Sequence, residues 1–434
     1  MKIFNTQDQD FLQNFEELLL RGQMDIDSVL PKVMTMLDEV KKEGIDAICN
    51  QIDRFDGWSP KNLSDLVISK EECRVAYDGL DQATRSALHQ AYERIYTFHS
   101  KQKLKTWIDF EDNGTILGQK VTPMQRAGLY IPGGKAAYPS SLLMNAIPAL
   151  VAGVKEIIVC SPTPLNKPNP LLLAAAHLCN IHTFYKVGGV GAIGLMAYGT
   201  PEVPKVDIIT GPGNIYVAVA KKMVFGEVMV DMIAGPSEIL VIADEKSNAH
   251  YVACDLLSQA EHDELASSIL LTTSHHLAQE VKKEIFEILP RLGRQKIAQA
   301  SIENRGVIIV CKNMQECIDL SNKIAPEHLE LMIENPFAYL SSIQNCGAIF
   351  LGPYTPEAIG DYIAGPNHTL PTGGGAHFFS PLSVDHFMKK SSIISMSALG
   401  FKEVAKNCEI LAEVEGLGAH KDCVQTRMKD LEKI

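Results

Sequence analysis

The pattern of apolar and polar positions divides the chain into two regions of different character. From residue 1 to about 105 the chain is heavily charged, and apolar residues recur at helical spacing over 28–40 and 81–99. From Val121 onward, short runs rich in branched residues alternate with longer helical runs and with Gly-Pro turns. Such alternation predicts a parallel sheet with helices on both faces.

This strand–helix alternation occurs twice. The first series of predicted strands covers 128–131, 156–160, 182–186 and 206–210. The second series covers 239–242, 268–272, 307–310 and 348–351. Predicted helices separate the strands of each series, and the chain after Leu382 is predicted to be helical to its end. The fold class expected is therefore α/β, with two Rossmann-like, doubly wound parallel-sheet domains and helical segments at the N-terminus and the C-terminus.

Composition excludes several classes of protein. A chain of 434 residues is too long for one core, and its net charge of −12 argues against a nucleic-acid-binding surface. The N-terminus lacks the pattern of a signal peptide, and no apolar run approaches the ~20 residues that a membrane helix needs. Ten cysteines occur singly, without a Cys-x-x-Cys pair. We therefore expect free thiols and a cytoplasmic location, with no nucleic acid or membrane as partner.

Candidate metal chemistry first appears near the end of a predicted helix. Gln259 and His262 are three residues apart, which on a helix places both side chains on one face. An amide oxygen and an imidazole nitrogen arranged in this way can bind a divalent metal, most plausibly zinc. Three further segments, 325–329, 360–362 and 415–420, are similarly rich in reactive side chains.

Glycine-rich turns between strands and helices indicate a nucleotide cofactor. They lie at 132–135, 188–194 and 211–214, and the middle one contains Gly-x-Gly-x-x-Gly. Glycines at such turns let the backbone approach a phosphate at a helix N-terminus, although ordinary tight turns have the same composition. Because three such turns belong to one predicted sheet, a nucleotide is the favoured interpretation.

Eight motifs together resemble those of the histidinol dehydrogenase family. They occur in order at 128–134 (GLYIPGG), 211–214 (GPGN), 231–238 (DMIAGPSE), 256–262 (LLSQAEH), 325–329 (APEHL), 360–362 (GDY), 367–372 (NHTLPT) and 419–420 (AH). The family carries out the NAD-dependent, four-electron oxidation of L-histidinol via L-histidinaldehyde to L-histidine, the last steps of histidine biosynthesis. Its members resemble one another in being zinc-dependent homodimers with shared active sites.

The resemblance implies a role for each matching residue. Glu327 and His328 would be the catalytic acid/base residues. The implied zinc ligands are Gln259, His262, Asp361 and His420. The implied substrate contacts are Ser237, Gln259, His262, His328, Asp361, Glu415 and His420. The implied cofactor-binding positions are Tyr130, Gly191 and Asn214. One position departs from the family, because Gly191 stands where members commonly have a glutamine that contacts NAD, and this puts that contact in doubt.

The resemblance also divides the predicted elements among domains. Residues 1–25 would form an N-terminal helical arm. Residues 26–110 and 237–382 would form a first α/β domain with the metal and catalytic residues, and 111–236 a second on the NAD side. The helical tail 383–434 would complete the partner subunit's site.

The chemistry of these side chains is compatible with more than one reaction. A neutral histidine at 328 has suitable basicity to take the alcohol proton, and a carboxylate at 327 could activate water for the aldehyde step. Adjacent residues of a strand point to opposite faces, so both can serve one site only if the backbone turns there. Two alternatives remain: a zinc- and NAD-dependent dehydrogenase for another small polar alcohol, and a zinc hydrolase with Glu327 as base. Manganese or cobalt could replace zinc.

Overall fold

The structure, a computed structural model, describes residues 1–22, 25–133 and 138–433. Its helices are α1 (Phe11–Leu19), α2 (Ile26–Glu43), α3 (Ile45–Asp56), α4 (Leu63–Leu66), α5 (Lys70–Asp78), α6 (Gln82–Ser100), α7 (Pro139–Ala152), α8 (Pro170–Leu178), α9 (Gly189–Tyr198), α10 (Ile215–Val224), α11 (Ala249–Ala260), α12 (His275–Ile288), α13 (Gln295–Arg305), α14 (Met314–Ile324), α15 (Glu357–Tyr362), α16 (Ala398–Val414) and α17 (Gly418–Leu431). Its strands are β1 (Lys2–Asn5), β2 (Val67–Ile68), β3 (Trp107–Phe110), β4 (Ile116–Pro123), β5 (Arg126–Tyr130), β6 (Glu156–Cys160), β7 (Thr183–Tyr185), β8 (Ile208–Thr210), β9 (Met229–Val230), β10 (Glu238–Ala243), β11 (Ser267–Thr272), β12 (Gly306–Val310), β13 (His328–Met332), β14 (Ala348–Leu351) and β15 (Met388–Ser395).

Two compact units make up the chain. The first comprises Met1–Gln102 and Met124–Phe387, and the second comprises Lys103–Pro123 and Met388–Ile434. The first unit contains two six-stranded sheets, which we call the metal-side sheet (β1-β12-β11-β10-β13-β14) and the cofactor-side sheet (β2-β7-β6-β5-β8-β9). Apart from the antiparallel edge strand β2, all neighbouring strands in both sheets are parallel.

The same strand order recurs in the two sheets. When the last five strands of each sheet are numbered along the chain, their spatial order is 3-2-1-4-5 in both sheets. In each sheet a strand from earlier in the chain, β1 or β2, pairs with the third of these strands and forms the edge. In the metal-side sheet β10, β11, β12 and β13 are buried along their whole length. Buried clusters lie on both faces of that sheet, as parallel strands covered by helices require. The predicted pair of doubly wound α/β sheets is confirmed.

Much of the N-terminal region packs against a different sheet from the one predicted. Residues 26–110 were expected to join the metal-side domain. In the structure, Val33, Leu37 and Ile48 of α2 and α3 pack in one cluster with Tyr130 and Val190 of the cofactor side, and β2 pairs with β7. The predicted arm 1–25 likewise contains β1, which pairs with β12. Helical periodicity indicates that a face must be buried, but it does not indicate which sheet buries that face.

The second unit combines a small antiparallel sheet with a helical hairpin. β15 pairs with β4 from Met388↔Pro123 to Ser395↔Ile116, and β3 pairs with the other edge of β4. The prediction that the tail after Leu382 is helical to its end is therefore wrong, because the first part of the tail supplies strand β15. Helices α16 and α17 pack against each other after it.

Two predictions from composition can be compared with the structure. All ten cysteines are free thiols, as expected. Among the described residues, no helix combines the length and the apolar character needed to cross a membrane.

Candidate active site

The predicted catalytic pair lies at the amino end of β13, the strand of the metal-side sheet between β10 and the edge strand β14. The chain leaves α14 through Ala325, whose φ of +49° is unusual for a residue other than glycine, and Pro326 follows. The backbone therefore turns at Ala325, just before the pair, which is the condition that the sequence analysis set for a shared site. Glu327 precedes the strand, His328 begins it, and their side chains approach to 3.8 Å. The turn allows neighbouring residues to share one site.

The backbone of Glu238, at the amino end of neighbouring β10, holds both side chains. Its N–H donates to Oε2 of Glu327 over 2.9 Å, and its carbonyl oxygen lies 2.9 Å from Nδ1 of His328. A carbonyl can only accept, so Nδ1 must carry the proton and donate. The neutral ring therefore has its basic lone pair on Nε2. Nε2 is buried without a hydrogen-bond partner among the described residues, and it lies 3.7 Å from Oδ1 of Asp361.

The predicted metal ligands of the first unit converge on this imidazole. Gln259 is on the last turn of α11, whereas His262 lies two residues beyond the end of that helix. The prediction that both residues are helical is thus wrong for His262, although its N–H still reaches the carbonyl of Gln259 over 3.1 Å. Asp361 lies on α15. His262 and Asp361, together with Glu357, offer ligand atoms within 4.8 Å of one another, which suits a divalent metal ion.

Glu357 is the site residue that the sequence analysis missed. It is 2% exposed and precedes Asp361 by four residues on the short helix α15, so the two carboxylates share a face. The i,i+4 spacing Glu-x-x-x-Asp was the available signal. His368 is also close, with Nδ1 donating to the backbone oxygen of Asp361 over 2.9 Å. The sequence analysis assigned it no role.

Charges around the site shift the pKa of several groups. Burial raises the pKa of Glu327 to about 8, in spite of the nearby His328. Burial acts to lower the pKa of His328, but the surrounding carboxylates, above all Glu357 and Glu327, outweigh it and raise that pKa well above its usual range. For Asp361 burial is outweighed by the neighbouring imidazoles of His328, His368 and His262, so its pKa is lowered. Asp361 is therefore ionised at neutral pH.

A second pair of buried acids lies behind the site. Oε1 of Glu330 accepts the backbone N–H of Glu357 over 2.7 Å, and the side chains of Glu330 and Asp255 share a hydrogen bond. Two carboxyl groups can share such a bond only when one is protonated. Burial raises the pKa of Asp255 to about 6, and burial next to Asp255 raises that of Glu330 well above its usual range. Glu330 is the protonated partner near neutral pH.

We expect Glu330→Gln to make stability less dependent on pH. Folding raises the pKa of such an acid, so the folded chain keeps a proton that the unfolded chain has lost. The contribution of the acid to stability therefore decreases as pH rises above its pKa in the unfolded chain. Above the ordinary pKa of a glutamate, about 4.3, the wild type should lose about 1.4 kcal/mol of unfolding free energy per pH unit relative to the variant, until Glu330 ionises. The glutamine amide preserves both hydrogen bonds. Denaturant unfolding at several pH values measures the difference.

The matched control is Glu334→Gln, because Glu334 is an exposed carboxylate that pairs with Lys246. This change should leave the pH dependence of stability as in the wild type. If the unfolding free energies of the wild type and of Glu330→Gln changed with pH in the same way, Glu330 would not be the protonated partner.

The predicted cofactor positions lie at the carboxyl edge of the cofactor-side sheet. Tyr130 ends β5, and its hydroxyl accepts the N–H of Gly189 over 3.3 Å. Asn214 caps α10, its side-chain oxygen accepting from the backbone of Tyr216 and Val217. Gly191 is buried in the first turn of α9, and a Cβ there would lie 2.9 Å from Oε1 of Gln51. Gly191 can therefore offer only its backbone to a ligand.

A cleft of about 440 Å³ opens at the same edge of the cofactor-side sheet. Its walls include the segment 161–164, which follows β6, and Tyr138. The hydroxyls of Ser161 and Thr163 are buried there without partners among the described residues. Burial, and after it the charges of Asp361, Glu261 and Glu357 and the nearby Tyr138, raise the pKa of Tyr362 on α15. Gly134 and Lys135 of the first glycine turn lie outside the described residues.

The remaining predicted residues are divided between the two units. Ser237 immediately precedes β10 in the first unit, beside Glu238. Glu415 and His420 belong to the second unit, where both are exposed near the turn between α16 and α17. Gln259, His262, Asp361, Glu327 and His328 are therefore assembled by the first unit alone.

Comparison with known proteins agrees with this arrangement. The family model described as histidinol dehydrogenase matches residues 19–428. Histidinol dehydrogenases of Wolinella succinogenes and Helicobacter hepaticus are each 60% identical to the chain, with 99% of both proteins covered. A crystal structure of histidinol dehydrogenase from Elizabethkingia anophelis superimposes with a TM-score of 0.94 at 37% identity, covering 100% of this chain and 99% of that one. The chain belongs to the histidinol dehydrogenase family.

Proposed function

We propose that this protein oxidises L-histidinol through L-histidinaldehyde to L-histidine, the last steps of histidine biosynthesis, with reduction of two NAD in a zinc-containing site. The observation that carries the proposal is the unpartnered, buried Nε2 of His328, 3.7 Å from Asp361 and beside the candidate metal group. A base next to a metal-binding group suits a substrate that presents both an alcohol and nitrogen ligands.

Zinc fits the donor atoms of the site. Ligand atoms of His262 and Asp361 lie within 4.8 Å of each other, as those of one ion must, and the backbone of His262 is bonded to that of Gln259 over 3.1 Å. His420 would complete the set of four. When bound, the metal supplies positions for the imidazole and amine nitrogens of histidinol, and so orients the substrate. Manganese or cobalt would suit the same mixed oxygen and nitrogen ligands.

The protein's own residues account for the proton transfers. In the first oxidation the alcohol proton moves to Nε2 of the neutral His328 ring, because Nδ1 is already occupied by its bond to Glu238. Two of the carboxylates that raise the pKa of His328, Glu357 and Asp361, lie in the candidate metal group, so a bound cation would lower that pKa and leave the ring neutral. In the second oxidation, Glu327 takes a proton from the water that adds to the aldehyde carbon. NAD, when bound, accepts the hydride in each oxidation. Ser237, immediately before β10, and Glu415 would contact the substrate, with Glu415 accepting a hydrogen bond from its amine.

The cleft of the cofactor-side sheet is the candidate NAD site. It lies at the carboxyl ends of parallel strands, beside the point where the strand order reverses between β5 and β8. Tyr130 and Asn214 flank this edge, and the N-terminus of α9 at Gly189 has open space around it. Gly191 would contribute its backbone N–H or carbonyl only. Unpaired hydroxyls of Ser161 and Thr163 are suitable partners for the sugar or base of a dinucleotide.

A homodimer with shared sites accounts for the exposed apolar surface of the second unit. Large apolar side chains are exposed on its sheet and on α16, namely Trp107, Ile108, Phe110, Ile394, Leu399, Leu411 and Val414. Exposure of this many large apolar side chains in so small a unit is typical of a protein that covers them with a partner. A second copy covering it would bring His420 and Glu415 to a partner's site, and we propose the cytoplasm as the location of this dimer.

The proposed reaction is tested by its stoichiometry. The purified protein should form two NADH for each L-histidinol consumed, with L-histidine as product. One NADH per substrate would indicate that oxidation stops at an aldehyde. Faster reaction with another small polar alcohol would support the alternative dehydrogenase. Hydrolytic activity without NADH formation would support a zinc hydrolase and overturn the proposal.

We expect two inactive variants to restore each other's activity if the sites are shared. In a mixed dimer of His420→Ala and His262→Ala subunits, one of the two sites receives an intact His262 and an intact His420. Activity should therefore return to at most half of the sites. The measurement is specific activity after mixing under conditions in which mass spectrometry confirms subunit exchange. Exchange without recovery would mean that each tail serves its own subunit.

A further inference from the structure

Glu357 is a buried carboxylate in direct contact with a proposed metal ligand. One terminal atom of the Gln259 amide lies 2.6 Å from Oε1 and 3.1 Å from Oε2 of Glu357, and 3.2 Å from Nδ1 of His328, whose proton is already donated to Glu238. This places the nitrogen, and not the oxygen, of the amide toward Glu357, because an amide oxygen facing a carboxylate would oppose two acceptors. Both side chains are buried, Gln259 at 0% and Glu357 at 2% exposure. The contact is therefore shielded from water.

Only one orientation of the Gln259 amide is useful to a cation. The carbonyl oxygen can bind a metal, whereas the amide nitrogen carries two hydrogens and cannot. With the nitrogen held by Glu357, the oxygen is left free as the ligand atom. Without a partner at 357 the two orientations would differ little in energy, and the ligand would lose part of its preorganisation.

Glu357 is itself held firmly in place. Its backbone N–H donates to Glu330 over 2.7 Å, and the hydroxyl of Ser258 reaches Oε2 at 3.4 Å. Its position on α15, one turn before Asp361, places it beside the metal group without requiring it to bind the ion. Both of its oxygens are already within hydrogen-bond distance of the Gln259 nitrogen. A direct ligand would have to give up part of that contact.

We propose that Glu357 is a positioning residue, which orients the amide of Gln259 so that its carbonyl oxygen binds the metal. The inference rests on the proposed zinc site. It assigns Glu357 a role in metal affinity through Gln259, separate from the proton transfers of Glu327 and His328.

The test compares zinc affinities of Glu357→Met and Glu357→Gln, measured by competition with a chromophoric chelator. Glu357→Met removes the acceptor, and we expect zinc affinity to fall by about 10- to 100-fold. Glu357→Gln keeps an oxygen that can accept from Gln259, and should lose less than about threefold. Glu334→Met, at an exposed carboxylate, is the matched control and should bind zinc as the wild type does. Thermal unfolding of each metal-free variant shows whether the fold is retained.

A double-mutant cycle distinguishes action through Gln259 from other roles. In a Gln259→Ala background, Glu357→Met should cause little further loss of zinc affinity. Additive losses would overturn the proposal, as would a loss in Glu357→Gln as large as in Asp361→Asn, which would make Glu357 a ligand. Unchanged zinc affinity with lower thermal stability would leave Glu357 a purely structural role.

Two further results keep the test decisive. If Glu357→Met does not fold, Glu357→Asp withdraws the carboxylate by one methylene and enters the same cycle, with an intermediate loss expected. If the wild type binds no zinc, the proposed metal site fails, whereas normal wild-type binding with unaffected variants rejects only the role of Glu357.

The absorption spectrum of the cobalt-substituted protein, which reports ligand geometry, should change in Glu357→Met but not in Glu334→Met.

Discussion

His328→Ala is expected to lower the rate of alcohol oxidation by about 10²- to 10⁴-fold, the usual contribution of a positioned general base. The structure supports this role because Nδ1 is engaged by Glu238 and only Nε2 is free to take a proton. Glu327→Ala should mainly slow the oxidation of supplied histidinaldehyde, since that step needs an activated water. Single-turnover measurements with histidinol and with histidinaldehyde separate the two steps.

The amide substitution Glu327→Gln provides a control for packing. It keeps the volume of the buried side chain and can still bond to the N–H of Glu238, so a loss in the aldehyde step would reflect the missing base. Equal losses in both steps for both alanine variants would refute the division of labour between Glu327 and His328. The involvement of both residues would stand.

His262→Ala and Asp361→Ala are each expected to lose bound metal and activity together. The two side chains lie on separate elements, the turn after α11 and helix α15, and meet within 4.8 Å. Removing either leaves too few ligands to hold the ion, because the first unit then supplies only the other of the two residues and the neutral amide of Gln259. Elemental analysis of the purified variants measures the metal, and an NADH assay measures the activity.

His250→Ala is the matched control for the histidine. His250 lies on the same helix α11, and its ring pairs with Glu284 at the surface. Its loss should change neither metal content nor activity. Full zinc content in both His262→Ala and Asp361→Ala would remove these residues from the metal site, and the resemblance would then have misassigned them.

Sequence patterns predicted the secondary structure of the sheets well where strands are long and buried. The strands at 156–160 and 348–351 were predicted with their observed bounds, and the others in both series differ by only a few residues. The strand at His328–Met332 was not predicted. It carries two buried acidic or basic residues, His328 and Glu330, which interrupt the apolar run by which a buried strand is identified.

The candidate site was predictable in its chemistry but not in its assembly. Short motifs identified Gln259, His262, Asp361 and the Glu327–His328 pair, because each combines a reactive side chain with a characteristic local pattern. Glu357 was missed, since a single glutamate four residues before an aspartate resembles an ordinary charged helix face. Its importance follows from burial and from contact with Gln259, and both are properties of the folded chain.

The sequence alone therefore determined the fold class, the family resemblance and most of the reactive residues, because periodicity and local motifs depend on neighbouring positions along the chain. Only the tertiary structure decided which sheet buries α2 and α3, and that β15 pairs with β4. It also placed Glu327 and His328 at the amino end of β13, and the candidate cofactor cleft at the carboxyl ends of the other sheet. These features arise from contacts between residues far apart in the chain, for which one sequence carries no local signal.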